Sequence, residues 1–134
     1  MKIYLLHPLT QTLTFQENFE NENERIIVLG CRELIQGRGV AEIWLADGTF
    51  KVVPELFFQL YTIHFQYKSG CNPAALYCLL PKNTQHSYTR MVQNIKTILP
   101  NSNPRTILLD FETAAMNAFS NEFPNSEISG CYLT

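Results

Sequence analysis

The sequence predicts an α/β protein built on a mixed sheet. Three observations carry that prediction. Apolar runs with the alternation or brevity of strands follow one another over residues 41–46, 56–67 and 74–80. Two segments with apolar residues at helical spacing come after them, over 84–99 and 112–123. A short aliphatic run, 106–109, lies between those two segments. Strands in series favour an antiparallel meander, whereas alternating helices and strands favour parallel pairing.

The elements are read in order. Gln16 to Glu24 is rich in Asn and Glu and reads as a solvated loop. Arg25-Ile26-Ile27-Val28-Leu29 reads as a strand stopped by Gly30, and Cys31 to Gln36 as one or two helical turns ended by Gly37. Ala41 to Ala46 is a strand that runs into Asp47-Gly48, a hairpin signal between apolar runs. Leu56 to Tyr67 is a long strand, greasy on both faces, and is therefore expected to be central and covered on both sides. Lys68-Ser69-Gly70 turns the chain into the strand Ala74 to Leu80, which Pro81 stops.

Asn83 or Thr84 can cap the first helix, because each offers a side-chain oxygen to free amides of the first turn. Its inward positions are Tyr88, Met91, Val92, Ile95, Ile98 and Leu99. Thr106 to Leu109 is a buried strand ending at Asp110. The second helix, Glu112 to Phe123, turns Ala115, Met116, Phe119 and Phe123 inward, and Ile128 to Leu133 is a last strand. The organisation expected is a lead-in segment over 1–40 and a core over 41–134.

The chain of 134 residues is 46% hydrophobic and 16% charged, enough to build a core, and its length suits one domain. Its formal charge of -2 excludes a strongly basic nucleic-acid coat. No apolar run reaches the ~20 residues of a membrane helix, and His7-Pro8 cuts the first apolar run short of a signal peptide. An intracellular protein with reduced thiols is expected. Cys31, Cys71, Cys78 and Cys131 form no C-x-x-C pair and read as buried, quiet residues. Trp44, His64 and the many Tyr and Phe side chains read as packing residues. Lys51 suits a phosphate or solvent equally, and Arg90 and Lys96 are too few to grip DNA.

Only two aspartates occur, Asp47 and Asp110, and each directly follows an apolar strand. Each has an ordinary reading, Asp47 as a turn residue before Gly48 and Asp110 as the cap of the second helix. They also have a chemical one. Ligands gather at strand ends of α/β sheets, and two carboxylates brought together there cannot both ionise cheaply unless a cation lies between them. Mg2+, a hard ion that takes oxygen ligands, suits such a pair.

Particular residues carry a family resemblance. Ile43-Trp44-Leu45-Ala46-Asp47-Gly48-Thr49-Phe50-Lys51 with Pro54, then Phe58-Gln59-Leu60-Tyr61-Thr62-Ile63-His64, resembles the transposase core of Mutator-like elements, the MULE transposase domain. So do Tyr77-Cys78-Leu79-Leu80 with Lys82 and Tyr88, and Asp110-Phe111-Glu112 with Ala114, Ala115, Ala118, Phe123-Pro124, Ile128 and Gly130-Cys131-Tyr132. Arg25-Ile26-Ile27-Val28 resembles the strand leading into the core in animal members.

The resemblance implies a ribonuclease H-like fold and DDE-type chemistry. In that chemistry two Asp and one Glu hold Mg2+ or Mn2+ that activates water or a DNA 3′ hydroxyl. By position Asp47 is the first acid and Asp110 the second, both catalytic and metal-binding; Glu112 takes a supporting role. The family's third acid and a His after the Gly-Cys pair lie beyond Thr134, and its amino-terminal zinc-finger region is not in the sequence. The expectation is therefore a core fragment incomplete at its C-terminus. It would bind DNA weakly or not at all and be inactive alone, with the nucleus as its site by resemblance. The other reading is a non-catalytic, transposase-derived module that associates with full-length transposase.

Overall fold

A computed structural model describes residues 2–7, 12–16, 24–37, 41–49 and 57–130. Among them, eight strands form one mixed sheet: β1 (Lys2–His7), β2 (Thr12–Gln16), β3 (Ile27–Cys31), β4 (Ile43–Thr49), β5 (Gln59–Gln66), β6 (Ala74–Leu80), β7 (Thr106–Leu109) and β8 (Glu127–Gly130). Their order across the sheet is β1-β2-β3-β6-β5-β4-β7-β8. Strands β4, β5 and β6 form the expected antiparallel meander, and β4–β7 and β7–β8 pair in parallel. The lead-in strands continue the sheet, with β3 antiparallel to β6 and β2 and β1 beyond it.

Two helices, α1 (Gln85–Ile98) and α2 (Thr113–Glu122), make the crossovers around β7. Thr84 caps α1, its side chain accepting from the Ser87 amide at 3.2 Å. Tyr88, Met91, Val92 and Ile95 of α1, and Ala115, Ala118 and Phe119 of α2, are buried. Both helices cover the same face of the sheet. Trp44 of β4 stacks on Phe65 of β5 and meets the edge of Phe123 at the end of α2. Tyr61 of β5 meets Tyr88 of α1 and Phe119 of α2.

Several expectations are corrected. Among the described residues, strand β5 is central but covered on one face only: Gln59, Tyr61, Ile63 and Phe65 are buried, while Leu60, Thr62, His64 and Gln66 alternate with them half-exposed. The reason is that the described helices sit on one side. Asp47-Gly48 is no turn. Strand β4 runs through it to Thr49, with Asp47 opposite Thr62 and Gly48 opposite Tyr61. Asp110 does not cap α2, because Glu112 holds that position. Gly30 lies inside β3 and does not end it, since the Ile35 side chain fills the space that a Cβ would need. The turns after it form a π-helix, Glu33–Gly37. Ile98 and Met116 are half-buried. Cys78 is buried, its thiol pushed up to about 12 by burial, and Cys31 is half-buried; Cys71 is exposed, because it follows the β5–β6 turn. Lys51, Cys131 and most of the expected loop over 16–24 lie outside the described residues.

Gly48 is needed where it stands. A Cβ there would lie 2.6 Å from Gln59 Oε1 and 3.2 Å from the Tyr61 ring, both on fully buried side chains. Gln59 cannot swing aside cheaply, because its amide nitrogen is bonded to Tyr88. Gly48→Ala gains about 0.4–1 kcal/mol from the stiffer unfolded chain but meets an overpacking cost of about 1–3 kcal/mol. The expected result is a net loss of stability, measured as a lower urea midpoint.

Candidate active site

The site is a product of strand order. Strand β4 pairs with β5 antiparallel on one side and with β7 in parallel on the other. The parallel register runs from Ile43 opposite Thr106 to Ala46 opposite Leu109. One residue further on each chain stand Asp47 and Asp110. Both therefore stand just past the end of the parallel β4–β7 pairing, towards the C-terminal ends of the strands, where α/β sheets place their ligands.

Asp110 senses the charge of Asp47. Asp110 is half-buried, and its carboxyl is raised above the ordinary value of 3.8. Burial is the main cause and the Asp47 charge the next; a hydrogen bond from its own amide works the other way. Asp110 Oδ1 is buried with no hydrogen-bond partner among the described residues. An oxygen in that position is costly unless something outside the described chain satisfies it.

On the helix-covered face of β5 a polar chain runs through Tyr88, which sequence reading treats as packing, to Glu112. Gln59 Nε2 donates to the Tyr88 hydroxyl at 2.6 Å, and that hydroxyl donates to Glu112 Oε1 at 2.7 Å. The Tyr61 hydroxyl is also buried, with no hydrogen-bond partner among the described residues. Its pKa is raised well above the usual phenol value, first by burial and then by the charges of Asp110, Tyr88, Glu112 and Asp47. Tyr61 thus reports all three acids within electrostatic reach of one ring. Gln59 was detectable in the sequence: it is the one polar residue in the alternation Gln59, Tyr61, Ile63, Phe65.

The profile of the MULE transposase domain matches residues 43–133, more than half of the chain. The chain belongs to the MULE transposase domain family. The match begins at Ile43, the first residue of β4, and takes in Asp47, Asp110, Glu112 and every described element from β4 to β8. Strands β1 to β3, including the Arg25–Val28 lead-in, lie outside the matched part of this MULE domain chain. No curated protein matches the chain.

The described part of this MULE domain has no group of three or more His, Cys, Asp and Glu side chains placed to hold a metal ion. Its basic residues near the helices are engaged with acids. Arg90 donates to the Glu24 carboxylate and carbonyl at 3.2 and 2.7 Å, and Lys96 to the Glu122 carbonyl at 2.9 Å. Among the described residues no helix is long and apolar enough to cross a membrane.

Proposed function

We propose that the chain is part of the catalytic core of a DDE-type transposase with a ribonuclease H-like fold, acting on DNA phosphodiesters. The observation that carries this reading is the register of β4 and β7. It sets the only two aspartates of the sequence side by side, with a buried Asp110 oxygen left unpartnered. The strand order supports it, as a three-strand meander followed by two parallel strands is the arrangement that the resemblance implies.

The donors fit Mg2+ or Mn2+. Both are carboxylates, their mutual repulsion is relieved by a cation, and such ions keep several waters where protein ligands are few. When bound, the ion supplies activation of the attacking oxygen and neutralisation of phosphoryl charge. Asp47 and Asp110 would hold it. On this reading the segment 1–40 extends the sheet of the 41–134 core, and the work is done on nuclear DNA. The 134-residue chain contributes two of the three acids and is inactive in strand transfer by itself.

Calorimetric titration of the chain with Mn2+ tests the site. Binding is expected, and either Asp47→Asn or Asp110→Asn should weaken it at least ten-fold. Unchanged binding in both variants would remove the cation site, and strand transfer by the purified chain would remove the claim of inactivity.

A further inference from the structure

The turn that presents Asp110 is held from three directions. The Glu112 amide donates to the Asp110 carbonyl at 2.8 Å. The Phe111 ring lies over Gly130 of β8, so close that a Cβ there would stand 2.3 Å from a ring carbon. The third tie is the Gln59–Tyr88–Glu112 chain, which crosses from β5 through α1 to the segment after β7. Its other end stands against β4, because Gln59 Oε1 occupies the space above Gly48, the neighbour of Asp47.

Glu112 behaves unlike an ordinary cap. It occupies the N-cap of α2, yet its side chain makes no capping bond. An N-cap side chain that bonds a first-turn amide stabilises the helix. Here the carboxylate is turned to Tyr88 instead. The bond thus contributes nothing to closing the helix end and constrains the conformation of residues 110–112.

We propose that Tyr88 is a positioning residue for the two aspartates. Its hydroxyl, oriented by Gln59, holds Glu112 and so sets the direction in which Asp110 leaves β7 relative to Asp47. The proposal rests on the reading of Asp47 and Asp110 as cation ligands. Groups that orient metal ligands matter to affinity nearly as much as the ligands do, and losing one costs roughly ten-fold or more.

The test uses the full chain and Mn2+, with hydrogen exchange of the Glu112 amide as a reading that needs no cation. Tyr88→Phe removes one oxygen and keeps the ring. It should lower Mn2+ affinity roughly ten-fold and speed exchange of the Glu112 amide several-fold. Glu112→Ala should do the same. Glu112→Gln keeps an acceptor oxygen for Tyr88 and should stay near wild type in both. Asn117→Ala removes a different α2–α1 bond, Asn117 Nδ2 to Gln85 Oε1 at 3.2 Å, and should move neither.

The proposal is overturned if Tyr88→Phe matches wild type in both readings. It is equally overturned if Asn117→Ala moves them as much. Loss of affinity in Glu112→Gln equal to that in Glu112→Ala would also end it, by placing Glu112 on the cation itself. If the wild-type chain binds no Mn2+, the proposed function fails, and the exchange comparison alone decides whether Tyr88 holds the turn.

Discussion

Asp110→Asn is expected to stabilise the protein without metal and to reverse that order once Mn2+ is added. The first half follows from the raised carboxyl of Asp110. A folded-state pKa above the unfolded one means that the fold binds the proton more tightly. Its stabilising contribution is complete below the ordinary carboxyl range and is lost as pH rises through the folded value. At pH 7 the ionised group is therefore a net burden. Asparagine removes the charge that burial and Asp47 penalise. Because the group is half-exposed and solvent screens the repulsion, the gain is about 1 kcal/mol or less, and it should vanish at pH 3.

The second half follows from linkage. A cation that binds only the folded chain, at about one hundred times its Kd, adds about 2.7 kcal/mol. Wild type should take that gain and Asp110→Asn should not. Thermal melts at pH 7 and pH 3, with and without Mn2+, give the four values needed. A variant less stable than wild type at pH 7 without metal would show that Asp110 has a stabilising partner and refute the electrostatic account.

Trp44→Ala carries the largest loss of stability. The side chain is fully buried, stacked on Phe65 at 5.8 Å between ring centroids and edge-on to Phe123 at 5.4 Å. It joins the centre of the sheet to the end of α2. Removing an indole from a core costs about 3–5 kcal/mol, a large fraction of the total stability of a domain of this size. Trp44→Phe keeps most of the contact and should lose about half as much or less. Urea unfolding followed by circular dichroism measures both, since the lone tryptophan is lost as a fluorescent probe. A loss below 2 kcal/mol for the alanine variant would mean that the helices do not rest on β4.

Much of the fold could be read from residue order. Helix α1 was legible because Thr84 and the apolar spacing from Tyr88 to Ile95 agree with each other. The parallel placement of β7 was legible because a helix precedes and follows a short strand of Thr106 and three aliphatic residues. Asp47-Gly48 misled for a physical reason. The dipeptide favours a turn locally, but pairing of β4 with β5 on one side and β7 on the other outweighs that preference as far as Ala46, and β5 alone carries the strand on to Thr49. Strands β1 and β2 were missed because local patterning does not report a partner strand. Of the candidate site, Asp47 and Asp110 were visible through their scarcity. The Gln59–Tyr88–Glu112 chain was not, since helical and strand periodicity both assign Tyr88 to packing and say nothing about where its hydroxyl points.

The pairing of Ala46 with Leu109 joins parts of the chain far apart in sequence, and everything from β5 to α1 lies between them. Closing so long a loop is entropically costly before any contact rewards it, and such topologies fold slowly. The meander is built from local hairpin contacts, whereas the β4–β7 seam closes a loop that contains β5, β6 and α1. The two carboxylates are therefore expected to come together late in folding. On the proposed reading of Asp47 and Asp110 as cation ligands, the topology would keep a nascent chain from trapping a divalent ion prematurely, and metal competence would be a late marker of correct assembly.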